Sequence, residues 1–292
     1  MTGIDRPRLR CADEAAARGD QLAGTTPATT GWLLVEHDRP WGPDAVRSAL
    51  GDDLAAALHR AAHAGGRRLV MIRRPGRRAA SPTRWLTVDS VAMTVRGAVV
   101  ADDEQLLTAP FATGAGEPVT GPLYLVCAHG RHDPCCARLG RPVAQALAGL
   151  APATTWECSH LGGDRFAANV LVLPSADLYG RVSPVDAPRV VSAGLAGEVV
   201  ADLWRGRAVI TATEQAAVAA LLRQGTSARD IDWEGVTCSP LEAGACRVTI
   251  PAGGSTWTGL VEVGLGRPAV LTCHASGESQ ARTFRITGST PG

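Results

Sequence analysis

Two apolar runs, each leading into a loop dense in thiols and imidazoles, constrain this chain more than any other feature. The stretch from Leu123 to Pro174 reads LYLVCAHGRHDPCCARLGRPVAQALAGLAPATTWECSHLGGDRFAANVLVLP. Leu123 to Val126 ends in Cys127, and a loop then carries His129, His132, Asp133 and the vicinal pair Cys135 and Cys136. Leu139, Val143 and Leu147 follow at i, i+4 and i+8, the spacing of one helix face. A second apolar run ends at Trp156, and Cys158, Ser159 and His160 lead into Leu-Gly-Gly-Asp164. Asn169 to Leu173 reads as a short buried strand closed by Pro174. Two ligand-rich loops after two strands is the geometry in which an α/β sheet delivers side chains to one shared edge.

The rest of the chain bounds what that edge can be used for. With 292 residues, 45% hydrophobic and 20% charged, the chain is long enough for a large globular core. A net charge of +1 gives no general attraction to nucleic acid or to an anionic membrane, and neither is expected as a partner. There is no run of eighteen apolar residues, and the N-terminal MTGIDRPRLR lacks the apolar core of a signal peptide. The expectation is a cytoplasmic protein, in which eight cysteines serve as metal ligands, redox groups or buried thiols rather than disulfides.

In chain order, a short helix is expected within 13–22, a strand at 32–36, a helix over 44–64 broken at Gly51, and a strand at 68–73. The basic cluster from Arg73 to Arg78 reads as a solvated turn, followed by strands at 85–88 and 91–100, the second folding as a hairpin about Arg96-Gly97. Residues 101–120 are polar and rich in Gly and Pro, which suits a junction. After the central stretch come a strand at 178–182 and a helix from Asp186 to Trp204. The order over 121–204 is therefore strand, helix, strand, strand, strand, helix, that of a thioredoxin-like domain with one helix shortened to the HLGGD loop. The first hundred residues give a similar order, and WLLVEHDRPWGPDAV against LYLVCAHGRHDPCCA suggests a degenerate copy without ligands. Beyond Arg207, Thr211 to Glu214 forms a capping box opening a helix to Arg223. Short β patterns follow at 246–250, 256–263, 269–272 and 283–286. Cys238, Cys246 and Cys273 have no metal-type spacing and read as inert thiols. The division is 1–115, an N-terminal α/β domain; 116–207, a thioredoxin-like domain; and 208–292, a helix with a β-rich appendage.

Eight residues separate Cys127 from Cys136, and three separate His160 from Asp164. Thiolate and imidazole suit both iron–sulfur clusters and zinc. One ligand pair per loop matches a two-iron cluster, whereas zinc more often uses close C-x2-C or H-x3-H pairs. The segments CAHGRHDPCCARLG and CSHLGGDRFAANVLVLP, with LYGRVSP and LWRGR, resemble the sucrase/ferredoxin-like family of thioredoxin-like ferredoxins, over most of the chain to residue 225. The resemblance implies a [2Fe-2S] cluster held by two cysteines and two histidines, which carries over to Cys127, Cys136 and His160. At the fourth position the family's histidine is Asp164 here. Three readings stay open: Asp164 ligates, Cys158 or Cys135 takes the place, or the cluster is absent. His129 and His132 read as exposed polar residues able to donate a hydrogen bond to a cluster sulfide. Arg165 could pair with Asp164 and make that aspartate structural, and Tyr179 to Arg181 shape a hairpin.

The function expected is an electron carrier rather than an enzyme, working with a redox partner protein; the oligomeric state is not legible. A thiol-redox protein lacks the C-x-x-C at a helix start that it would need. The alternatives are that thiol-redox protein and a zinc-containing or metal-free binding module. Glycoside hydrolysis needs two carboxylates across a sugar cleft; no spacing singles out a pair among Glu36, Glu157 and Asp164, and aromatic content is only 4%, low for sugar stacking. Walker A, G-x-G-x-x-G after a strand, H-E-x-x-H and G-x-S-x-G motifs are all missing, which removes the commonest nucleotide, zinc-protease and serine-hydrolase readings.

Overall fold

The computed structural model describes residues 10–76, 83–112 and 114–291. Arg77 and Arg78 of the basic cluster lie outside these. Helix α1 (Cys11–Ala17) leads to β1 (Gly31–Glu36), then α2 (Ala45–Leu50) and α3 (Asp52–Ala64), which Gly51 separates. Strands β2 (Arg68–Arg73), β3 (Arg84–Asp89), β4 (Thr94–Val99) and β5 (Glu117–Pro118) complete the first half. The turn of the β3–β4 hairpin falls at 90–93, with Asp89 accepting from the N–H groups of Val91 and Ala92. Gly97 is therefore mid-strand, opposite Leu86, and not the turn expected at Arg96-Gly97.

The second half runs β6 (Leu123–Cys127), α4 (Pro134–Leu150), β7 (Thr155–Cys158), β8 (Val170–Leu173), β9 (Asp177–Tyr179), α5 (Ala187–Ala196) and β10 (Trp204–Arg207). Helix α5 stops at Ala196 because Gly197 takes the left-handed C-cap conformation, φ 68°. Trp204 accordingly sits in a strand, not in the helix expected to reach it. Helix α6 (Ala212–Arg223) opens with the expected Thr211–Glu214 capping box. Strands β11 (Thr237–Pro240), β12 (Ala245–Ala252), β13 (Ser255–Leu265) and β14 (Arg282–Pro291) form a separate antiparallel sheet against α6. Cys238 and Cys246, expected as inert thiols, are joined in a disulfide across β11 and β12. Antiparallel neighbours put their Cα atoms 5.9 Å apart, within disulfide reach, and eight-residue spacing gives no hint of that pairing.

The large sheet has ten strands in the order β10-β9-β8-β6-β7-β2-β1-β3-β4-β5. In the second half β6 is parallel to β7 and antiparallel to β8, which pairs antiparallel with β9. That order and those senses are the thioredoxin-like arrangement. The first half repeats it, with β1 parallel to β2 and antiparallel to β3, and β3 antiparallel to β4. An antiparallel pair, β2 with β7, joins the two. Central strands are buried on both faces, so they read as continuous apolar runs. Along β6, Tyr124 and Val126 face the core under α4 and α6, while Leu125 and Cys127 face a core shared with Trp32, Val70 and Ile72 of the first half. Among the described residues no helix is long and apolar enough to cross a membrane.

Candidate metal centre

Strand β6 ends at Cys127, whose N–H donates to Asn169 O while the Ala128 N–H donates to Cys158 O, holding the strand end between β7 and β8. The loop turns back at His129 and enters α4 at its N-cap, Asp133, whose carboxylate accepts the Cys135 N–H at 2.8 Å. Pro134 takes the first helical position, where its missing N–H costs nothing. Gly140, one turn beyond Cys136, faces the strand end. A Cβ there would stand 2.1 Å from Cys127 O, so only glycine lets α4 lie this close to β6.

The second loop, after β7, is held from outside by side chains on every carbonyl from 160 to 163. Arg68, from β2, donates to His160 O (2.6 Å) and Leu161 O (2.9 Å). Arg205, from β10, donates to Gly162 O at 2.9 Å, and Asn169 Nδ2 donates to Gly163 O at 3.0 Å. Gly163 takes φ 77°, and an added Cβ would meet the Arg205 guanidinium at 2.4 Å. With its carbonyls held outward, the loop presents the Leu161 N–H to Cys127.

Cys127, Cys136 and His160 offer donor atoms within 4.8 Å of one another, and His132, His160 and Asp164 do the same. The Cys136 thiol donates to Asp164 Oδ1 at 3.2 Å. His160 Nδ1 lies 3.0 Å from Asp164 Oδ1, yet out of line for a hydrogen bond, so this buried nitrogen is left without one. His132 stacks on His160 with ring centroids 3.7 Å apart. Its Nε2 is 3.8 Å from Asp164 Oδ2. Cys127, Cys136 and Asp164 are buried, and the two imidazoles carry the site to the surface.

The charges follow from these contacts. Cys127 is held well below the usual thiol range by its contact with the Cys136 thiol and, against the cost of burial, by the His160 ring and the Leu161 N–H. Cys136 keeps its proton: its contact with Cys127, burial and the Asp164 carboxylate all push its thiol up. Burial works against a charged His160, but Asp164 and Cys127 outweigh it and raise the group to about 9. Burial likewise opposes the charged form of Asp164, and His160 outweighs it, so the carboxyl is held low. The contacts thus favour the charged forms of Cys127, His160 and Asp164 and the neutral form of Cys136.

Each residue singled out in the sequence has a definite place. Cys127, Cys136, His160 and Asp164 converge. Cys158 is buried in the shared core, with its thiol pushed well up by burial, outside the convergent sets. Cys135 faces the opposite way, into a group with Cys11, Cys273 and Asp133. His129 is buried rather than exposed: its Nε2–H donates to Gly42 O at 2.6 Å and its ring meets Trp41 edge-on. Arg165 does not pair with Asp164 but lies 3.4 Å from Asp20 and over the Phe166 ring. Arg68, Arg205 and Asn169 escape a sequence reading, because their contacts join segments 92, 43 and 6 residues apart. The LWRGR segment was the available signal for Arg205.

The strand order and the convergent thiols, imidazole and carboxylate define a thioredoxin-fold protein with a cysteine-rich candidate metal centre. The sucrase/ferredoxin-like family profile matches residues 22–206, more than half of the chain. The chain belongs to that family. Among solved structures, a thioredoxin-like [2Fe-2S] ferredoxin from Aquifex aeolicus is similar at 24% identity, covering 30% of this chain and 91% of its own, with a TM-score of 0.26. No curated protein matches.

Proposed function

We propose that Cys127, Cys136, His160 and Asp164 hold a [2Fe-2S] cluster and that the protein carries single electrons to and from a partner protein. The observation behind this reading is the convergence of two buried thiols, a carboxylate and a buried imidazole nitrogen that lacks a hydrogen bond. Thiols and an imidazole are donor types that an iron–sulfur cluster accepts. When bound, the cluster takes up and releases one electron. The chain's own part is to set the charge around it and to expose one edge. Two thiolates and a carboxylate bring three negative charges, against two in a two-His centre and four in an all-cysteine one. The expected potential lies above the roughly −400 mV of plant-type ferredoxins and low in, or below, the roughly −150 to +300 mV span of two-His centres. His160 and His132, partly exposed and stacked, give the electron its route to a docked partner.

An anaerobic visible spectrum with iron and sulfide assays on freshly purified protein tests this. Two irons and two sulfides per chain with [2Fe-2S] absorption are expected; Asp164→Ala, Cys158→Ala and Cys135→Ala then identify the fourth ligand, expected to be Asp164. Colourless protein that takes up no iron on reconstitution would overturn it. The second reading is zinc, favoured by the closeness of Cys127, Cys136 and His160: three donors within 4.8 Å of one another suit a single ion. Stoichiometric zinc in the colourless protein, lost in Cys136→Ser, is its signature.

A further inference from the structure

A second group of thiols lies on the other side of the first turn of α4. Cys11 opens α1, Cys135 follows the N-cap of α4, and Cys273 sits in the connection between β13 and β14. Their sulfurs form a closed triangle: 3.8 Å from Cys11 to Cys135, 3.5 Å from Cys135 to Cys273 and 3.5 Å from Cys273 to Cys11. Asp133 Oδ2 is 3.5 Å from the Cys11 sulfur. Cys11, Cys135 and Asp133 are buried and Cys273 half-buried.

We propose that Cys11, Cys135, Cys273 and Asp133 form a structural zinc site, separate from the centre at Cys127 and Cys136. The distances carry the argument. Zinc binds thiolate sulfur at about 2.3 Å and carboxylate oxygen at about 2.0 Å, so a tetrahedral site sets its sulfurs about 3.8 Å apart and sulfur to oxygen about 3.5 Å. The triangle and its carboxylate have those edges. No two of the three sulfurs are singled out as a disulfide pair, and an odd number would leave one over. Ligands on different irons of a cluster stand farther apart than this. Three soft thiolates with a carboxylate select zinc over magnesium, calcium or manganese.

The carboxylate is fixed as a ligand should be. Its Oδ1 accepts the Cys135 N–H at 2.8 Å and its Oδ2 accepts the Cys273 N–H at 2.7 Å. All four donors come from the protein, leaving no open position, which marks a structural rather than a catalytic site. The ion would tie together segments 124 and 138 residues apart. Helix α1 packs on the short 3-10 turn from Asp164 to Phe166, so zinc would also clamp the N-terminal segment over the other centre.

Metal analysis of the full chain, loaded with Zn2+ under reducing, anaerobic conditions and then desalted, tests the site. One zinc per chain is expected, with retention falling at least tenfold in Cys273→Ser and Cys11→Ser while iron content and visible absorption stay at wild-type levels. Cys273 is half-buried on a loop, so its serine variant leaves the core packing in place. Co2+ gives a readout that does not depend on those variants. In the Cys127→Ser/Cys136→Ser protein, thiolate-to-cobalt absorption is expected from Cys11, Cys135 and Cys273; its absence overturns the proposal. So does zinc retention that Cys273→Ser leaves unchanged. If the first centre itself takes zinc, the wild type holds two, and Cys136→Ser and Cys273→Ser each remove a different one. The two assignments therefore fail separately.

Discussion

Arg205 carries its charge into the interior with no ion pair among the described residues, and burial pushes it down to about 9. It is kept by hydrogen bonds alone: Nε to Thr25 Oγ1, Nη2 to Thr25 O, and Nη1 to Gly162 O and Asn169 Oδ1. Arg205→Met leaves those acceptors buried without donors, at about 1–3 kcal/mol each before relaxation. A loss on the order of 3 kcal/mol is expected in urea unfolding of the cluster-free protein. Arg205→Lys should fall between, since an ammonium keeps the charge but not the fork. At the proposed ligand Asp164, histidine removes one negative charge from the set and should raise the reduction potential, whereas cysteine should not. Protein-film voltammetry on Asp164→His and Asp164→Cys decides it; equal potentials would mean that residue 164 does not bind the metal. Cys127 and His160 were legible in the sequence because they lie at or just past a strand end, where a chain delivers ligands, and Cys136 because it opens the helical pattern that follows. Arg205 and Cys273 were not, because their partners are set by tertiary packing.

The strands were legible for a related reason: burial on both faces makes β1, β2 and β6 unbroken apolar runs. Helix ends were less so. The α5 pattern continues in apolar residues past Ala196, and only the backbone of Gly197 stops it. Glu198, the next residue, ties the chain down by accepting from the Ser227 hydroxyl, the Ala228 N–H (2.9 Å) and Arg229 Nε (2.8 Å). Burial opposes the charge, but these donors outweigh it and hold the carboxyl below its usual range. A depressed carboxyl stabilises the fold above its unfolded pKa, and that contribution is lost as pH falls through the folded value. Glu198→Gln should therefore cost about 1 kcal/mol at neutral pH and nothing once both forms are protonated near pH 2. Thermal melts across that range measure it; a deficit independent of pH would mean the charge is not what matters. In α4, Gly140→Ala should separate the helix from the end of β6, lowering metal retention at Cys127 more than it lowers helix content by circular dichroism.

At the scale of the molecule, one sheet runs through both halves, and the candidate centre depends on both. Arg68 of β2 holds the carbonyls of His160 and Leu161, and Arg73 pairs with Glu157 of β7 at 2.8 Å. A fragment limited to 116–207 would lose those arginines and expose the edge of β7 that β2 covers. Expressed alone, it should aggregate, or bind iron at least tenfold more weakly than the full chain, by size-exclusion chromatography and iron assay. A monomeric fragment with a full complement of iron would show that the first half is dispensable to the centre.

The seam between the halves has one more consequence. Within the first half Glu36 stands beside Ile72, and within the second Cys127 stands beside Cys158, so Ile72 and Cys158 occupy matching positions. Across the seam, Ile72 pairs with Cys158 itself. Matching residues that meet each other mark a local two-fold axis, here through the Ile72–Cys158 pair and normal to the sheet. This is the isologous contact of a symmetric dimer, drawn into one polypeptide. Its chemistry is not symmetric: where Cys127 ends β6, the axis returns Glu36 at the end of β1.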